Sequence, residues 1–319
     1  MGSYIARRVL QGIFTLLATT LLFHASITVL PGDPVRALFG FRQPVPRIAD
    51  AIREDFHLND PYIVQYGHYL WDLLHGDLGN SYPRDVYGGA LGGIPINPLV
   101  SGALPVSLRI LLAAILLQLV LGLGLGMLMS LRERTQLSRW LYLGVVVAAA
   151  VPVIVSAFAL KNVFAGSLQV LPYGGVNDGW RSYVMPVLAV AATGTAYVVL
   201  LTRSELMNTM RQRYIKAAEA RAIPEYRVVG LHALRASLLP AVTYVSANLG
   251  QLVTGLLIVE GIFNLPGLGG LLFNAIQRQD RALIVSIILL VTLAVIVANI
   301  VADVLYAVID PRIRLGRPA

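Results

Sequence analysis

Histidines are the side chains of this protein best suited to acid–base or metal chemistry near neutral pH, and the chain has five. His57, His68 and His75 lie in one polar stretch, and the spacing of His68 and His75 places them on one face of a helix. Imidazoles in such an arrangement could bind a transition metal. Surface histidines without a metal are more common, so we predict no metal site.

Familiar catalytic motifs are absent from the sequence. Because the chain has no cysteine, it has no thiol nucleophile, disulfide or cysteine-based metal site. Its two lysines, Lys161 and Lys216, do not stand in a G-x-x-x-x-G-K-[ST] phosphate-binding loop. An H-E-x-x-H zinc motif and a G-x-S-x-G nucleophile motif are also missing. We therefore predict no catalytic residue and no ATPase site in this chain.

Polar side chains recur within one otherwise apolar segment near residue 250. Asn248, Gln251 and Thr254 follow one another at close to helical spacing. Other apolar segments contribute further polar residues, namely Gln118, Thr193 and Thr195. One hypothesis is that Gln118, Asn248, Gln251 and Thr254 line a passage for a polar solute. The alternative is ordinary hydrogen bonding between helices.

Long apolar stretches must position these residues. The chain is 56% apolar and 13% charged, with a mean hydropathy of +0.70, which excludes a disordered chain and an ordinary soluble enzyme. A bilayer core of about 30 Å needs about 20 apolar residues in a helix. Six stretches qualify, and they predict an all-α polytopic membrane protein with six transmembrane helices. The predicted spans are about 9–30, 110–131, 140–160, 182–202, 236–259 and 282–308.

The first stretch could also be a secretory signal, because basic residues precede it. At 22 residues it is longer than the usual apolar region of about 7–15 residues, and no small-x-small cleavage site follows. We therefore favour a membrane anchor.

Basic residues in the connections predict the orientation. With the N-terminus in the cytoplasm, 15 of the 25 Lys and Arg residues fall inside. Both termini are therefore predicted to be cytoplasmic. This distribution accounts for the net charge of +8, so we predict no nucleic-acid partner.

The connection 31–109 is predicted to lie outside. A short helix is expected from Arg47 to Phe56, and Asp60 is expected to cap an amphipathic helix that starts at Pro61. Gly76 and Gly79 should end that helix. The region could be a packed cap without chemistry, and its role stays open.

The connection 203–235 is predicted to lie in the cytoplasm. It should form one helix over about 205–221 and a second that starts at Pro224, because proline cannot continue the first helix. Small residues rimmed by charge could dock into a groove of a partner protein. A solvated surface helix is equally consistent with this composition.

Several motifs resemble those of bacterial ABC importer permeases, most closely the dipeptide, oligopeptide and nickel branch. The cytoplasmic segment YIKAAEARAIPEYRVVGLHALRASLLPAVT (214–243) carries the resemblance. Supporting motifs are Leu30-Pro31-Gly32-Asp33-Pro34, Leu74-His75-Gly76-Asp77-Leu78-Gly79, Glu260-Gly261-Ile262-Phe263, Pro266-Gly267-Leu268-Gly269 and Asp310-Pro311-Arg312. Together they cover nearly the whole chain in order.

The resemblance implies a type I importer permease in the bacterial inner membrane that translocates peptides by alternating access. It implies a homologous second permease, two ABC ATPase subunits that bind ATP and Mg, and an external solute-binding protein. This chain itself would bind no cofactor. The coupling helix that docks on an ATPase would contain Arg213, Lys216, Ala217, Ala218, Glu219, Arg221, Ala222 and Pro224. Ala222 stands where the family usually has glycine, so the local turn is expected to differ.

Two other classes fit less well. One is a secondary transporter or channel acting alone. An ion-coupled carrier usually has acidic or basic residues at mid-membrane, and the predicted spans have none there, which disfavours a proton- or sodium-driven carrier. A membrane-embedded enzyme would need a nucleophile or metal motif. The exact solute, whether dipeptide, longer peptide or nickel complex, is not determined by the sequence.

Overall fold

The computed structural model describes residues 2–29, 35–36, 39, 45–55, 57–82, 93–215, 224 and 234–309. Helices dominate these ranges, as expected for segments whose backbone groups must be satisfied within the membrane. The helices are α1 (Gly2–Val29), α2 (Pro46–Asp55), α3 (Tyr62–Leu74), α4 (Ile96–Leu131), α5 (Gln136–Ala150), α6 (Val153–Leu160), a π-helix (Lys161–Ser167), α7 (Arg181–Met210), α8 (Leu234–Ala247), α9 (Leu249–Ile262), α10 (Leu268–Gln277) and α11 (Arg281–Ile309). Strands β1 (Asn80–Ser81) and β2 (Ile94–Pro95) pair antiparallel.

The chain divides into two units. The first comprises Met1–Val106 and Pro266–Ile296, and the second comprises Ser107–Leu265 and Val297–Ala319. The candidate site belongs to the second unit.

Candidate membrane spans agree in part with the predicted ones. Three helices are individually long and apolar enough to cross a bilayer, namely Ile96–Leu131, Arg181–Met210 and Arg281–Val301. Two more candidates are pairs of helices with a sharp bend between them. The described part of the chain therefore contains up to five candidate spans, and α1 carries a shorter apolar stretch, Leu10–Leu22. Six spans with the stated bounds remain a prediction.

The predicted span 140–160 is not one straight helix. Helix α5 ends at Ala150 and α6 begins at Val153, with a bend of 108° between α5 and the segment 153–167. Pro152 has no N–H to donate and forces Val151 into an extended conformation (φ −81°, ψ 121°). The Thr193 hydroxyl donates to the Val151 carbonyl at 3.2 Å, which satisfies a backbone group left open by the break.

A second bend lies at Asn248, between α8 and α9. The segments on either side meet at 56°. Asn248 itself is not helical (φ −99°, ψ 12°), and its side-chain amide donates to the Tyr244 carbonyl at 2.8 Å. Both bends therefore have an identifiable residue and a compensating hydrogen bond beside them.

Helix α7 differs from the prediction for the connection 203–235. We expected the span to end near 202 and a separate helix to start near Glu205. Instead one helix continues to Met210. No glycine or proline interrupts residues 203–210, so nothing in the sequence stops the helix there.

Two glycines of α4 permit its close approach to α7. A Cβ on Gly126 would lie 2.6 Å from the Thr202 Cβ and 2.8 Å from the Val199 carbonyl oxygen. A Cβ on Gly122 would overlap the side chain of Val198 in the same way. The G-x-x-x-G spacing of these residues is thus a packing feature of the second unit.

The first unit packs its short helices through buried clusters and side-chain contacts. The Tyr66 and Thr20 hydroxyls lie 2.9 Å apart, and Tyr62 donates to the Leu21 carbonyl at 3.1 Å, so α3 packs along α1. The predicted cap of α3 is wrong. The N-cap residue is Pro61 without a side-chain hydrogen bond, and the Asp60 carboxylate lies 3.3 Å from His57 Nδ1 instead.

Asp280 joins the β-hairpin to the start of α11 within the first unit. The Asp280 carboxylate accepts hydrogen bonds from the Ser81 hydroxyl, from the Tyr82 N–H at 3.2 Å and from the Leu283 N–H at 3.1 Å. The last of these caps α11. Three donors thus converge on one carboxyl group that is 5% exposed.

Candidate translocation site

A cavity of about 500 Å³ lies within the second unit, beside both helix bends. Residues 149–153 line it at the first bend, and Asn248, Gln251, Leu252 and Gly255 line it at the second. The remaining lining residues are Gln118, Val190, Thr193, Gly194, Tyr197 and Tyr244. Irregular backbone at membrane depth is tolerated where it borders a cavity that admits water. The position of this cavity therefore fits the places where the helices break.

Gln118 is the most deeply buried polar residue of the cavity lining. Its side chain is 1% exposed, and its Nε2 has no hydrogen-bond partner among the described residues. Burying an amide N–H without a partner costs about 1–3 kcal/mol. The amide lies directly against Gly194, where a Cβ would be 2.5 Å from Nε2. The missing side chain at position 194 thus creates the space that Gln118 occupies.

Two tyrosines form part of the cavity wall. The rings of Tyr197 and Tyr244 lie 5.5 Å apart between centroids and are tilted by 31°. Their helices, α7 and α8, pack against each other, and this pair contributes apolar surface together with hydroxyl groups. No lining residue of this cavity carries a charge at neutral pH. The cavity can therefore contact a polar solute through neutral hydrogen-bonding groups.

The structure brings together three of the four residues predicted to form the path. Gln118, Asn248 and Gln251 all line the cavity. Thr254 does not line it. It is exposed, and its hydroxyl donates to the Gly250 carbonyl at 3.0 Å. At about 100° per residue, the lining residues Gln251, Gly255 and Leu252 span about 100° of α9, and Thr254 lies about 60° outside that arc.

Sequence reasoning missed the contribution of the helix breaks to the lining. Residues 149–153, Tyr197 and Tyr244 were not expected at the site. A proline inside an apolar stretch was the available signal for the first break, because Pro152 ends or kinks a helix there. The tyrosines give no comparable signal, since aromatic residues are also common in apolar packing.

The predicted ATPase-docking residues are described only in part. Arg213 is exposed and helical, after a break at residues 211–212 that follows α7, and Pro224 is exposed. The rest of the set lies outside the described residues: Lys216, Ala217, Ala218, Glu219, Arg221 and Ala222. Docking at this segment remains a prediction.

The three histidines of the predicted external region do not converge. His57 and His68 stack with ring centroids 5.0 Å apart, whereas His75 Nδ1 lies 2.8 Å from the Trp71 carbonyl oxygen at the end of α3. Groups of three or more potential metal ligands were not found among the described residues.

Comparison with known proteins identifies the family. Residues 122–315 match the family described as "Binding-protein-dependent transport system inner membrane component". This chain belongs to that family. Members of a binding-protein-dependent transport system work with other components, in general an ATPase, a substrate-binding protein and a second membrane subunit. Family membership also makes this chain a multi-pass inner membrane transport subunit rather than the ATPase of its system.

Relatives in this family match almost the whole chain. The oligopeptide transport system permease protein OppB of Salmonella typhimurium is 35% identical over 318 residues, covering 98% of this chain and all of that protein. The oligopeptide transport system permease protein AppB of Bacillus subtilis is 31% identical over 326 residues, covering 98% and 99%. The resemblance to importer permeases is therefore confirmed.

A solved structure supports the fold. A chain of the methionine ABC transporter MetNI, in an inward-facing conformation, matches with a TM-score of 0.56 at 14% identity. The match covers 67% of this chain and 98% of that one. The all-α importer-permease fold is confirmed at this level.

Proposed function

We propose that this chain is one of two membrane subunits that form the peptide path of an ATP-driven importer. The oligopeptide relatives support peptides as the substrate class. The observation that carries a path through this chain is the neutral polar cavity at the two helix bends, with Gln118, whose buried Nε2 has no partner among the described residues, in its lining.

Amide and hydroxyl groups suit a transporter of peptides with varied sequences. Every peptide carries main-chain N–H and C=O groups, and each must keep a hydrogen-bond partner when it leaves water. Gln118, Asn248 and Gln251 each offer both a donor and an acceptor. Such contacts do not discriminate between peptide side chains, and the absence of charge in the lining avoids trapping a charged one.

The chemical energy must come from partner subunits, because the sequence has no phosphate-binding loop. Two ATPase subunits would bind ATP and Mg, and one would dock on the segment from Arg213 to Pro224. Closure of the ATPase pair would favour the outward-open state, and hydrolysis would restore the inward-open state. For this to work, docking contacts must differ between the two states.

The orientation in this proposal follows from the positive charge of the connections. Both termini and the connection 203–235 would face the cytoplasm, where the ATPases are. The region 31–109 would face the external solute-binding protein, which delivers the peptide. Selection among dipeptides and longer peptides would rest largely with that protein.

The path is tested by uptake of a labelled peptide into vesicles that contain the complete importer. Gln118→Met keeps the volume of the side chain but removes its hydrogen bonds, and Asn248→Leu and Gln251→Leu remove theirs. We expect each to lower ATP-driven uptake by roughly 3- to 10-fold, the value of one hydrogen bond to the substrate. Thr254→Val is the matched control and should leave uptake unchanged.

Assembly must be measured in the same preparations, by co-purification of all subunits. Wild-type uptake by all three path variants, with assembly intact, would refute the path. Accumulation of peptide by this chain alone, without the ATPases, would refute the importer mechanism itself.

A further inference from the structure

A second cavity, of about 300 Å³, lies in the second unit where α4, α5 and α7 meet. The distribution of basic residues predicts that this end of the spans is cytoplasmic. We call it the arginine pocket. Its lining residues are Glu133, Ser138, Arg139, Tyr142, Leu143 and Arg203. It is separate from the cavity that contains Gln118, with which it shares no lining residue.

Arg203 is held in place but lacks an acceptor. Its guanidinium lies over the Tyr142 ring, with Cζ 5.1 Å from the ring centroid, which orients the charge by a cation–π contact. Its Nε is buried and has no hydrogen-bond partner in the described part of the chain. A buried donor on a permanent charge is costly without an acceptor, so this position favours an anion.

The other polar groups of the pocket do not supply an acceptor for Arg203. Neither Arg203 nor Arg139 forms an ion pair with Glu133 within the described ranges. The Ser138 hydroxyl donates to the Met129 carbonyl at 2.9 Å, so it is already committed. Two arginines against one carboxylate give the pocket a net positive charge.

An exposed apolar strip of α5 adjoins the pocket. Trp140 is 71% exposed, Leu143 53% and Val147 63%, and these residues recur at helical spacing. Leu143 belongs to both the strip and the pocket. In a membrane subunit, a basic pocket at the end of such a strip matches the form of a phospholipid, with a charged headgroup above apolar chains.

We propose that the arginine pocket binds the phosphate of an anionic phospholipid. The guanidinium groups of Arg203 and Arg139 donate to the phosphate oxygens, and the acyl chains lie along the strip formed by Trp140, Leu143 and Val147. Arginine suits this task because its planar fork donates to two phosphate oxygens at once. Because α7 leads from Arg203 into the predicted coupling segment, the lipid would sit beside the ATPase-docking region.

The experiment uses the complete importer, purified in detergent and stripped of lipid. Phosphatidylglycerol, phosphatidylcholine and inorganic phosphate are titrated separately. The rise of the apparent unfolding temperature with the concentration of each gives its affinity. The variants are Arg203→Gln and Arg139→Gln, which change the pocket. Arg211→Gln is the matched control, because Arg211 is exposed at the end of the same helix and does not line the pocket.

We expect phosphatidylglycerol to stabilise the wild type and Arg211→Gln equally, and phosphatidylcholine to have a much weaker effect. Both pocket variants should bind phosphatidylglycerol about tenfold more weakly. If Arg203→Gln does not assemble, Arg139→Gln decides, because Arg139 is exposed and its replacement leaves packing intact.

Three results would overturn the proposal. Equal stabilisation by phosphatidylcholine would remove the requirement for anionic charge. Full stabilisation by inorganic phosphate would make the ligand a soluble anion instead of a lipid. Unchanged affinity in both pocket variants would place the lipid elsewhere, whatever the outcome of the peptide-uptake experiment.

Discussion

The amide of Gln118 occupies the space that a side chain at position 194 would fill. An ideal Cβ on Gly194 would lie 2.5 Å from Nε2 and 2.7 Å from Oε1 of Gln118. Neither distance is compatible with two non-bonded heavy atoms, so one group must move. Because the Gln118 amide is the end of a flexible side chain, it is the group that would shift. The absence of a side chain at position 194 of α7 thus determines where the Gln118 amide of α4 lies.

Gly194→Ala should therefore reduce peptide uptake without preventing assembly. Displacement of the Gln118 amide would misplace one of the hydrogen bonds proposed for the peptide, and we expect a loss of roughly 3- to 10-fold. ATP-driven uptake into vesicles is the measurement. Gly124→Ala is the matched control, because a Cβ on Gly124 of α4 would meet no neighbouring group within 4 Å. Equal uptake by both variants would contradict a role for the Gln118 position.

The sequence alone predicts some of the residues that line the cavity but not others. Gln118, Asn248 and Gln251 were found because polar side chains in apolar spans are costly and need a reason. The exclusion of Thr254 could not be found that way, because it depends on which side of α9 faces its neighbours. The break at Pro152 has a local signal, whereas a proline alone does not specify the bend of 108° between the flanking segments.

Because Asp280 is buried, its contribution to the stability of the fold depends on pH. Desolvation raises the pKa of Asp280 above its ordinary value of 3.8, although hydrogen bonds from Ser81, Leu283 and Tyr82 and the charge of Arg278 act in the opposite direction. The folded protein therefore binds a proton at the Asp280 carboxyl group more tightly than the unfolded chain does. Its contribution to stability is fully present below pH 3.8 and is lost as the pH rises through the raised pKa.

Asp280→Asn should remove this part of the pH dependence. We expect the apparent unfolding temperature of the wild-type importer to fall more steeply above pH 3.8 than that of the variant. The variant should also be less stable overall, because an amide cannot accept all three hydrogen bonds that reach the carboxylate. Parallel pH profiles for the two proteins would contradict the prediction.

Lys161 links the π-helix to the end of α9 within the second unit. Its ammonium donates to the Ile262 carbonyl at 2.6 Å and lies 5.4 Å and 5.7 Å from the ring centroids of Tyr173 and Phe263. Lys161→Met keeps much of the side-chain volume but removes the charged donor. We expect a loss of about 1–2 kcal/mol, seen as a decrease of about 2–4 °C in the unfolding temperature.

The comparison for Lys161 is Arg181→Gln. Arg181 also donates to a carbonyl oxygen, that of Val170 at 2.9 Å, but it is exposed and water can replace the bond. Its loss should change the unfolding temperature by less than half as much. An equal decrease in both variants would mean that the contacts of Lys161 with the two rings add nothing.

Replacing Ala218 tests the predicted coupling segment, which is inferred from the sequence and the family alone. If the small residues around Ala218 enter a groove of an ATPase subunit, Ala218→Arg fills the space that close docking needs. Stimulation of ATP hydrolysis by the loaded binding protein should then be lost, together with peptide uptake, while the chain still inserts. Ala218→Ser, which stays small, should retain both. The ATPase subunits can drive the transport cycle only through a contact that differs between their states. Normal stimulation and uptake in Ala218→Arg would therefore mean that this contact lies outside the segment.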